Sequence, residues 1–361
     1  MSRPSLFAPA TLGPLTLKNR IVMAPMTRSR TVESNAPNDL MAEYYAQRAC
    51  AGLIVTEGTS PSPNGTGYAR IPGIWSETQV RAWLKVTQAV HARGGSIFVQ
   101  LMHTGRVGHP LNLPAGGEVL APSAVAVEGK MYTDAQGLLP HPVPRAMTDA
   151  EVRAAIREYT EASRNAMAAG FDGVELHGAN GYLMEQFLSP ETNQRTDGWG
   201  GSIAKRQGFV VEAAKAVAEA IGGGRVGIRL SPYGVNAGMK AYPEIDETFL
   251  TLVPRLAATG IQYVHLVDHS AMGAPEVPAS LKLAMKRAWP RTFIQAGGFD
   301  RAKAEAALDE GRADLIAFGR PFLANPDLVR RLEQGLPLNA PDFSTFYTPG
   351  AKGYTDYPVA E

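Results

Sequence analysis

A single cysteine, Cys50, serves a chain of 361 residues. One thiol cannot close an internal disulfide, build a cysteine zinc site or hold an iron–sulfur cluster. Cys50 reads instead as a small apolar residue at the end of a helix, so any redox chemistry must come from a bound organic cofactor. No stretch of 18 or more apolar residues occurs, which excludes a spanning helix. The first residues, Met-Ser-Arg-Pro-Ser-Leu-Phe-Ala-Pro-Ala, lack the apolar core of a secretory signal, and a cytoplasmic location is expected. Charge of one sign is also missing. Lys plus Arg number 35 against 34 Asp plus Glu, so no global field favours nucleic acid or a membrane surface. Linkers, internal repeats and low-complexity segments are absent as well, and residues 1–361 read as one domain.

What is present is an alternation. Eight short, nearly continuous apolar runs, Ile21–Pro25, Leu53–Gly58, Ile97–His103, Gly173–His177, Val226–Pro232, Tyr263–Asp268, Thr292–Gly298 and Asp314–Arg320, read as strands buried on both faces. Amphipathic segments lie between them: Thr78–Ala92, Asp149–Ala169, Ile203–Ile221, Asp246–Thr259, Arg301–Glu310 and Pro326–Glu333. Thr148-Asp-Ala-Glu151 has the form of a capping box, and Ser202 and Asp300 stand just before helical runs. The expected fold class is α/β, a (β/α)8 TIM barrel. Strands three and four begin 76 residues apart, at 97 and 173, and residues 104–147 are rich in Pro and Gly. This excursion between strand three and its helix, with weak strand-like patches at Glu118–Leu120 and Val125–Val127, is expected to cap the barrel mouth. A turn-like Gly13-Pro14 marks an N-terminal hairpin plugging the opposite end.

In such a barrel chemistry sits at the carboxyl ends of the strands. Strand four ends in His177, followed by Asn180 and Tyr182. Two neutral donors could grip one substrate oxygen while a phenol delivers a proton nearby, although polar residues that merely cap the next helix would look the same on this segment alone. Strand one ends in Pro25-Met26-Thr27-Arg28, strand two in Glu57-Gly58-Thr59 and strand three in Gln100-Leu-Met102-His103. Strand five contributes Arg229, strand seven Gly297 and Gly298, and strand eight Gly319 and Arg320. Glycines after strands seven and eight, each leading into a helix, form the usual phosphate cradle of a barrel, with Arg320 as a positive fork. Turn glycines would explain either loop alone. A phosphate at one rim, and Thr, Gln, Arg and His across the mouth, suit a flat heterocycle rich in carbonyl and imide groups. Gln100 can donate and accept at once, and Arg229 could stabilise charge that develops when the ring is reduced.

Gly222-Gly-Gly224-Arg-Val-Gly227 satisfies the dinucleotide pattern G-x-G-x-x-G. It follows a helix and precedes a strand, the reverse of the required order, and reads as a helix stop. A metal-dependent hydrolase built on His103, His177 and His265 or His269 is a rival reading. No H-E-x-x-H and no H-x-H pair on strand one support it, and no metal is expected. A flavoprotein that binds ligands without turnover is a second rival.

Together these strand ends resemble the Old Yellow Enzyme family of FMN-dependent reductases, and most closely its bacterial N-ethylmaleimide and nitrate-ester reductase branch. The resemblance covers nearly the whole chain. It is carried by Ala24-Pro-Met-Thr27, Gln100-Leu-Met-His-Thr-Gly-Arg106, His177-Gly-Ala-Asn-Gly-Tyr182, Phe187-Leu-Ser-Pro190, Asn193–Ser202, Phe318-Gly-Arg-Pro-Phe322 and Gly353-Tyr-Thr-Asp-Tyr357. It implies that Thr27 bonds the flavin O4, with Pro25 and Met26 beside it. Gly58 would lie against the ring, Gln100 would pair with its pyrimidine edge, and Arg229 would face N1 and O2. Gly297, Gly298, Gly319 and Arg320 would hold the phosphate. His177 and Asn180 would bind a substrate carbonyl or nitro oxygen, Tyr182 would be the proton donor, and Tyr68, Met102 and Tyr347 would wall the pocket. Met102 stands where the family usually has an aromatic, and Thr27 where another branch has a cysteine. Trp199 and Lys205 replace a usual Tyr and Asn, with little functional effect expected. The implied activity is an NAD(P)H-dependent ene-reductase acting on small electron-poor alkenes, with FMN as cofactor and no nucleic-acid or membrane partner, as a monomer or homodimer.

Overall fold

The computed structural model describes residues 5–361, and residues 1–4 of the N-terminal segment lie outside it. Eight parallel strands form a closed barrel: β1 (Ile21–Met23), β2 (Leu53–Thr59), β3 (Ile97–Leu101), β4 (Gly173–Gly178), β5 (Val226–Leu230), β6 (Tyr263–Val267), β7 (Thr292–Ala296) and β8 (Leu315–Phe318). They lie in chain order around the ring, with β8 pairing β1 to close it. All but Thr292 among their residues are buried, as expected for strands covered by helices outside and filled by side chains inside. Two strand glycines make room for that filling. A Cβ on Gly173 would lie 2.4 Å from the Phe98 ring, and one on Gly227 would lie 2.0 Å from the Tyr263 ring.

Helices lie between the strands. The capping box at Thr148 is formed, and Asp300 caps its helix through the Lys303 amide. The segment expected as one helix over Ile203–Ile221 is two, Ile203–Arg206 and Gly208–Ile221, divided at Gln207. Its side-chain amide is drawn away to the Thr248 carbonyl and Thr251 hydroxyl, both at 2.8 Å. The Gly222–Gly227 segment is a helix stop, as read: Gly222 has φ +86°, and a 3-10 turn at Gly223–Arg225 leads into β5.

The N-terminal hairpin pairs Ala10–Leu12 with Leu15–Leu17. Its Leu12 and Leu17 pack with Val22, Leu53, Phe98, Tyr263, Ile294 and Leu315, so the hairpin closes the barrel floor. Gly13 turns it at φ +55°, where a Cβ would stand 2.1 Å from the Gly224 carbonyl oxygen.

The cap over residues 104–147 differs in detail from the expectation. Leu120–Ala121 pairs in parallel with Arg145–Ala146, and Lys130–Thr133 forms an antiparallel hairpin with Gly137–Pro140. Val125–Val127 is not a strand. Its carbonyls at Val125 and Ala126 instead accept from the buried Arg106 guanidinium at 3.4 Å, and the same group bonds Ala237 and Gly238 at 3.1 Å. One arginine therefore ties the cap to the loop after β5. The loop bearing Trp199 is tied back to the helix Asp149–Ala168, the indole N–H lying 2.7 Å from Asp149 at its start.

Candidate active site

Beneath the cap, at the carboxyl ends of the strands, lies a cavity of about 1180 Å³ lined by Pro25, Thr27, Tyr68, Gln100, Met102, His177, Asn180, Tyr182, Arg229, His269 and Tyr347 among others. His177 faces Arg229 across the β4–β5 ladder. Burial, then the nearby Arg229 charge, drives its pKa well below the usual imidazole value, so the ring is neutral. Its Nδ1 is buried without a partner. The ring meets Tyr182 edge-on, with centroids 4.9 Å apart. Burial pushes the Tyr182 phenol up to about 12, partly opposed by the hydroxyl of Tyr68 at 3.1 Å, so it keeps its proton at neutral pH.

Asn180 sits at φ +63°, a left-handed conformation that asparagine tolerates better than most residues. Two contacts hold it there. Its N–H donates to the Ser231 hydroxyl at 2.9 Å, and its Oδ1 lies 2.6 Å from His269 Nε2. Ser231 in turn donates to Glu185 at 3.0 Å, and Glu185 accepts from the Gly181 amide at 2.6 Å. Burial pushes the Glu185 carboxyl up to about 8, against the pull of those hydrogen bonds.

A second polar group lies inside the barrel below the cavity. Glu175, fully buried, accepts from Gln100 Nε2 at 2.8 Å, from Tyr263 at 3.1 Å and from His265 Nδ1 at 2.8 Å. Burial favours its neutral form, but His265, Arg229 and Gln100 together hold its pKa below the ordinary carboxylate value. The charge is therefore retained, and it faces the Arg229 guanidinium, whose Nε is buried without a partner.

The other expected residues are placed as follows. Gly58 lies opposite Met102, where a Cβ would stand 2.4 Å from the thioether sulfur. Met26 does not line the cavity: it packs against the main core, and its sulfur would be 3.7 Å from a Cβ at Gly319. Gly297 and Gly298, at φ +128° and +65°, line an adjoining recess of about 500 Å³ with Ser270, Lys303 and Arg312. Gly319 stands at the N-terminus of the short helix Arg320–Ala324, and Arg320 lies over the Phe343 ring with NH2 3.1 Å from the Met272 sulfur. No carboxylate pairs with Arg320 among the described residues.

His103 does not line the cavity, and its Nδ1 accepts the Gly105 amide at 3.0 Å. Among the described residues no group of three or more His, Cys, Asp or Glu side chains is placed to hold a metal. The donor set suits FMN instead. Unpartnered buried nitrogens on Arg229 and His177, an oriented Gln100 amide and open glycine backbones meet a polar, planar, anionic group.

The family model for the NADH:flavin oxidoreductase / NADH oxidase family matches residues 5–339. The chain belongs to that family. It is an Old Yellow Enzyme by structure too: an Old Yellow Enzyme homologue from Zymomonas mobilis superposes with a TM-score of 0.94 at 40% identity, over 99% of this chain and 100% of the other. Morphinone reductase in complex with tetrahydroNAD gives 0.94 at 43% identity, over 99% and 98%. A chanoclavine-I aldehyde reductase of Penicillium roqueforti is 44% identical over 98% of this chain and 95% of its own length. By family this chain is thus an FMN oxidoreductase of the NADH:flavin type, and it is 40% identical, over 98% of its length and 97% of the other's, to a probable flavin mononucleotide-dependent alkene reductase of Leishmania infantum. No helix among its described residues is long and apolar enough to cross a membrane.

Of the residues expected from the sequence, Pro25, Thr27, Tyr68, Gln100, Met102, His177, Asn180, Tyr182, Arg229 and Tyr347 line the cavity. His269 as a partner of Asn180, and Glu175, were not legible in the sequence motifs. A signal for the latter existed: a lone carboxylate inside the apolar run Gly173–His177 has to be paired.

Proposed function

We propose that His177 and Asn180 grip the carbonyl or nitro oxygen of an activated alkene and that Tyr182 protonates its α-carbon. The observation that carries this reading is the convergence of all three on one capped cavity, above a floor lined by Thr27, Gln100 and Arg229. FMN, when bound, would supply the hydride chemistry that links NAD(P)H to the alkene β-carbon. As that happens the substrate oxygen gains negative charge, so bonds from His177 and Asn180 strengthen toward the transition state. A neutral imidazole donates here without surrendering its proton. The phenol of Tyr182 stays protonated until the α-carbon needs it.

Thr27, Gln100 and Arg229 would hold the ring, with Arg229 placed to meet charge at its pyrimidine end. Gly58, with Pro25 and the backbone of Met26, whose side chain packs into the core, would shape its bed, while Gly297, Gly298, Gly319 and Arg320 would hold the phosphate. Tyr68, Met102 and Tyr347 would wall the substrate side. The flexible thioether of Met102 and the apolar rim of Tyr132, Leu138, Met272 and Phe343 favour enones, maleimides and nitroalkenes with a bulky apolar body, and nitrate esters present the same oxygen to the grip. Residues 1–361 would work as one FMN-binding unit capped by 104–147, since a continuous core runs from Leu6 to Tyr354.

An anaerobic visible spectrum, titrated with NADPH and then with N-ethylmaleimide, tests the reading. The flavin band should bleach and then return. A band that bleaches but does not recover would remove the oxygen grip and proton donor from the account.

A further inference from the structure

Asparagine is an ambiguous partner for a substrate oxygen. Its amide carries a donor on one side and an acceptor on the other, and a half-turn exchanges them. The donor face binds the charge that develops on the substrate oxygen, and the acceptor face repels it. Something has to decide which face Asn180 presents.

We propose that His269 is the positioning residue that decides it: His269 Nε2–H donates to Asn180 Oδ1 and so turns the amide N–H₂ toward the cavity. The inference rests on the proposed oxygen grip. The two side chains meet at 2.6 Å, and both line the cavity. His269 is itself buried and held by a braced loop. Asp268 accepts the Ser270 amide at 2.9 Å, the Val277 amide at 3.3 Å and the Lys282 ammonium at 2.8 Å. Gly297 lets β7 pass close beside it, since a Cβ there would lie 2.2 Å from the Asp268 carbonyl oxygen. On the other side, the Ser231 hydroxyl fixes the Asn180 backbone. With both partners anchored, the amide has one orientation that satisfies its oxygen. Burial, helped by Arg229 and opposed by Asp268, also lowers the His269 pKa to about 4, so at neutral pH the ring has a single N–H, which the proposal assigns to Nε2 facing Asn180.

The test uses FMN-loaded wild type, His269→Ala and His269→Gln. Three quantities are measured: the dissociation constant for 4-nitrophenolate, an oxyanion whose own colour reports binding; kcat and KM for N-ethylmaleimide; and bound FMN. His269→Ala should weaken phenolate binding and lower kcat by roughly tenfold to a hundredfold, the range for outer partners of ligand-holding side chains, at unchanged FMN content. His269→Gln keeps an N–H donor and should recover most of the loss. Wild-type behaviour in His269→Ala would overturn the proposal. So would an equal loss in both variants at full FMN content, or loss of FMN from both, which would make His269 merely structural. A wild type that neither binds phenolate nor reduces the maleimide would refute the oxygen grip itself, and this inference with it.

Discussion

Glu185 makes a pH-dependent prediction whose size follows from its surroundings. It lies on the short helix Leu183–Leu188, which is buried on every side, and its only hydrogen-bond partners among the described residues are the Ser231 hydroxyl and the Gly181 amide. Burial raises its pKa from 4.5 to about 8 in the folded protein. The folded state therefore holds a proton that the unfolded chain has already released between these two values, and stability falls as pH rises through that window. At about 1.4 kcal/mol per pKa unit, the loss approaches roughly 5 kcal/mol by pH ~9. Glu185→Gln keeps the shape and an acceptor for the Gly181 amide but has nothing to ionise. The variant should match wild type near pH ~4.5 and exceed it by up to roughly 5 kcal/mol near pH ~9. Glu57, also buried and pushed up to about 7, tilts both proteins the same way and cancels in the difference. Urea denaturation of both proteins at saturating FMN, across that pH range, measures the quantity. A difference that stays flat with pH would show that Glu185 is ionised throughout, and a variant less stable at high pH would reverse the argument.

His177→Ala or Asn180→Ala should each slow alkene turnover roughly 10²–10³-fold, as for other oxyanion donors, and an unchanged rate of flavin reoxidation by alkene would remove the residue from the mechanism. Tyr182→Phe should slow alkene reduction while flavin reduction by NADPH persists; stopped-flow traces showing equal loss in both half-reactions would point to a misplaced flavin instead. Gly13→Ala, forced to a positive φ and against the Gly224 carbonyl, should cost at least about 2 kcal/mol in urea denaturation with KM values unchanged. Unaltered stability there would mean that the floor hairpin adapts.

The barrel was legible because its strands are buried on both faces and so read as short apolar runs, against helices with one apolar side. Gly173–His177 shows this plainly. The cap was not legible in the same way. Lys130–Thr133 alternates exposed and buried residues over only four positions, too short a pattern to stand out. Val125–Val127 has strand-like residues, yet the charge of Arg106 claims its carbonyls. The site divides similarly. His177, Asn180 and Tyr182 fall within one turn of chain and announce themselves together. The pairs His269–Asn180 and His265–Glu175 are separated by 89 and 90 residues, and only closure of the barrel brings each pair into contact. Glu185 belongs to a helix that has no polar face, all six of its residues being buried.

The hairpin that stoppers the barrel has a kinetic meaning. With Leu12 and Leu17 packed into the lower end, the capped mouth is the doorway left for traffic to the strand ends. On the proposed function, coenzyme and alkene would share that space, and whichever is in excess would obstruct the other. Turnover should pass through a maximum as either one is raised, and the most productive setting for this enzyme is a balance between the two supplies.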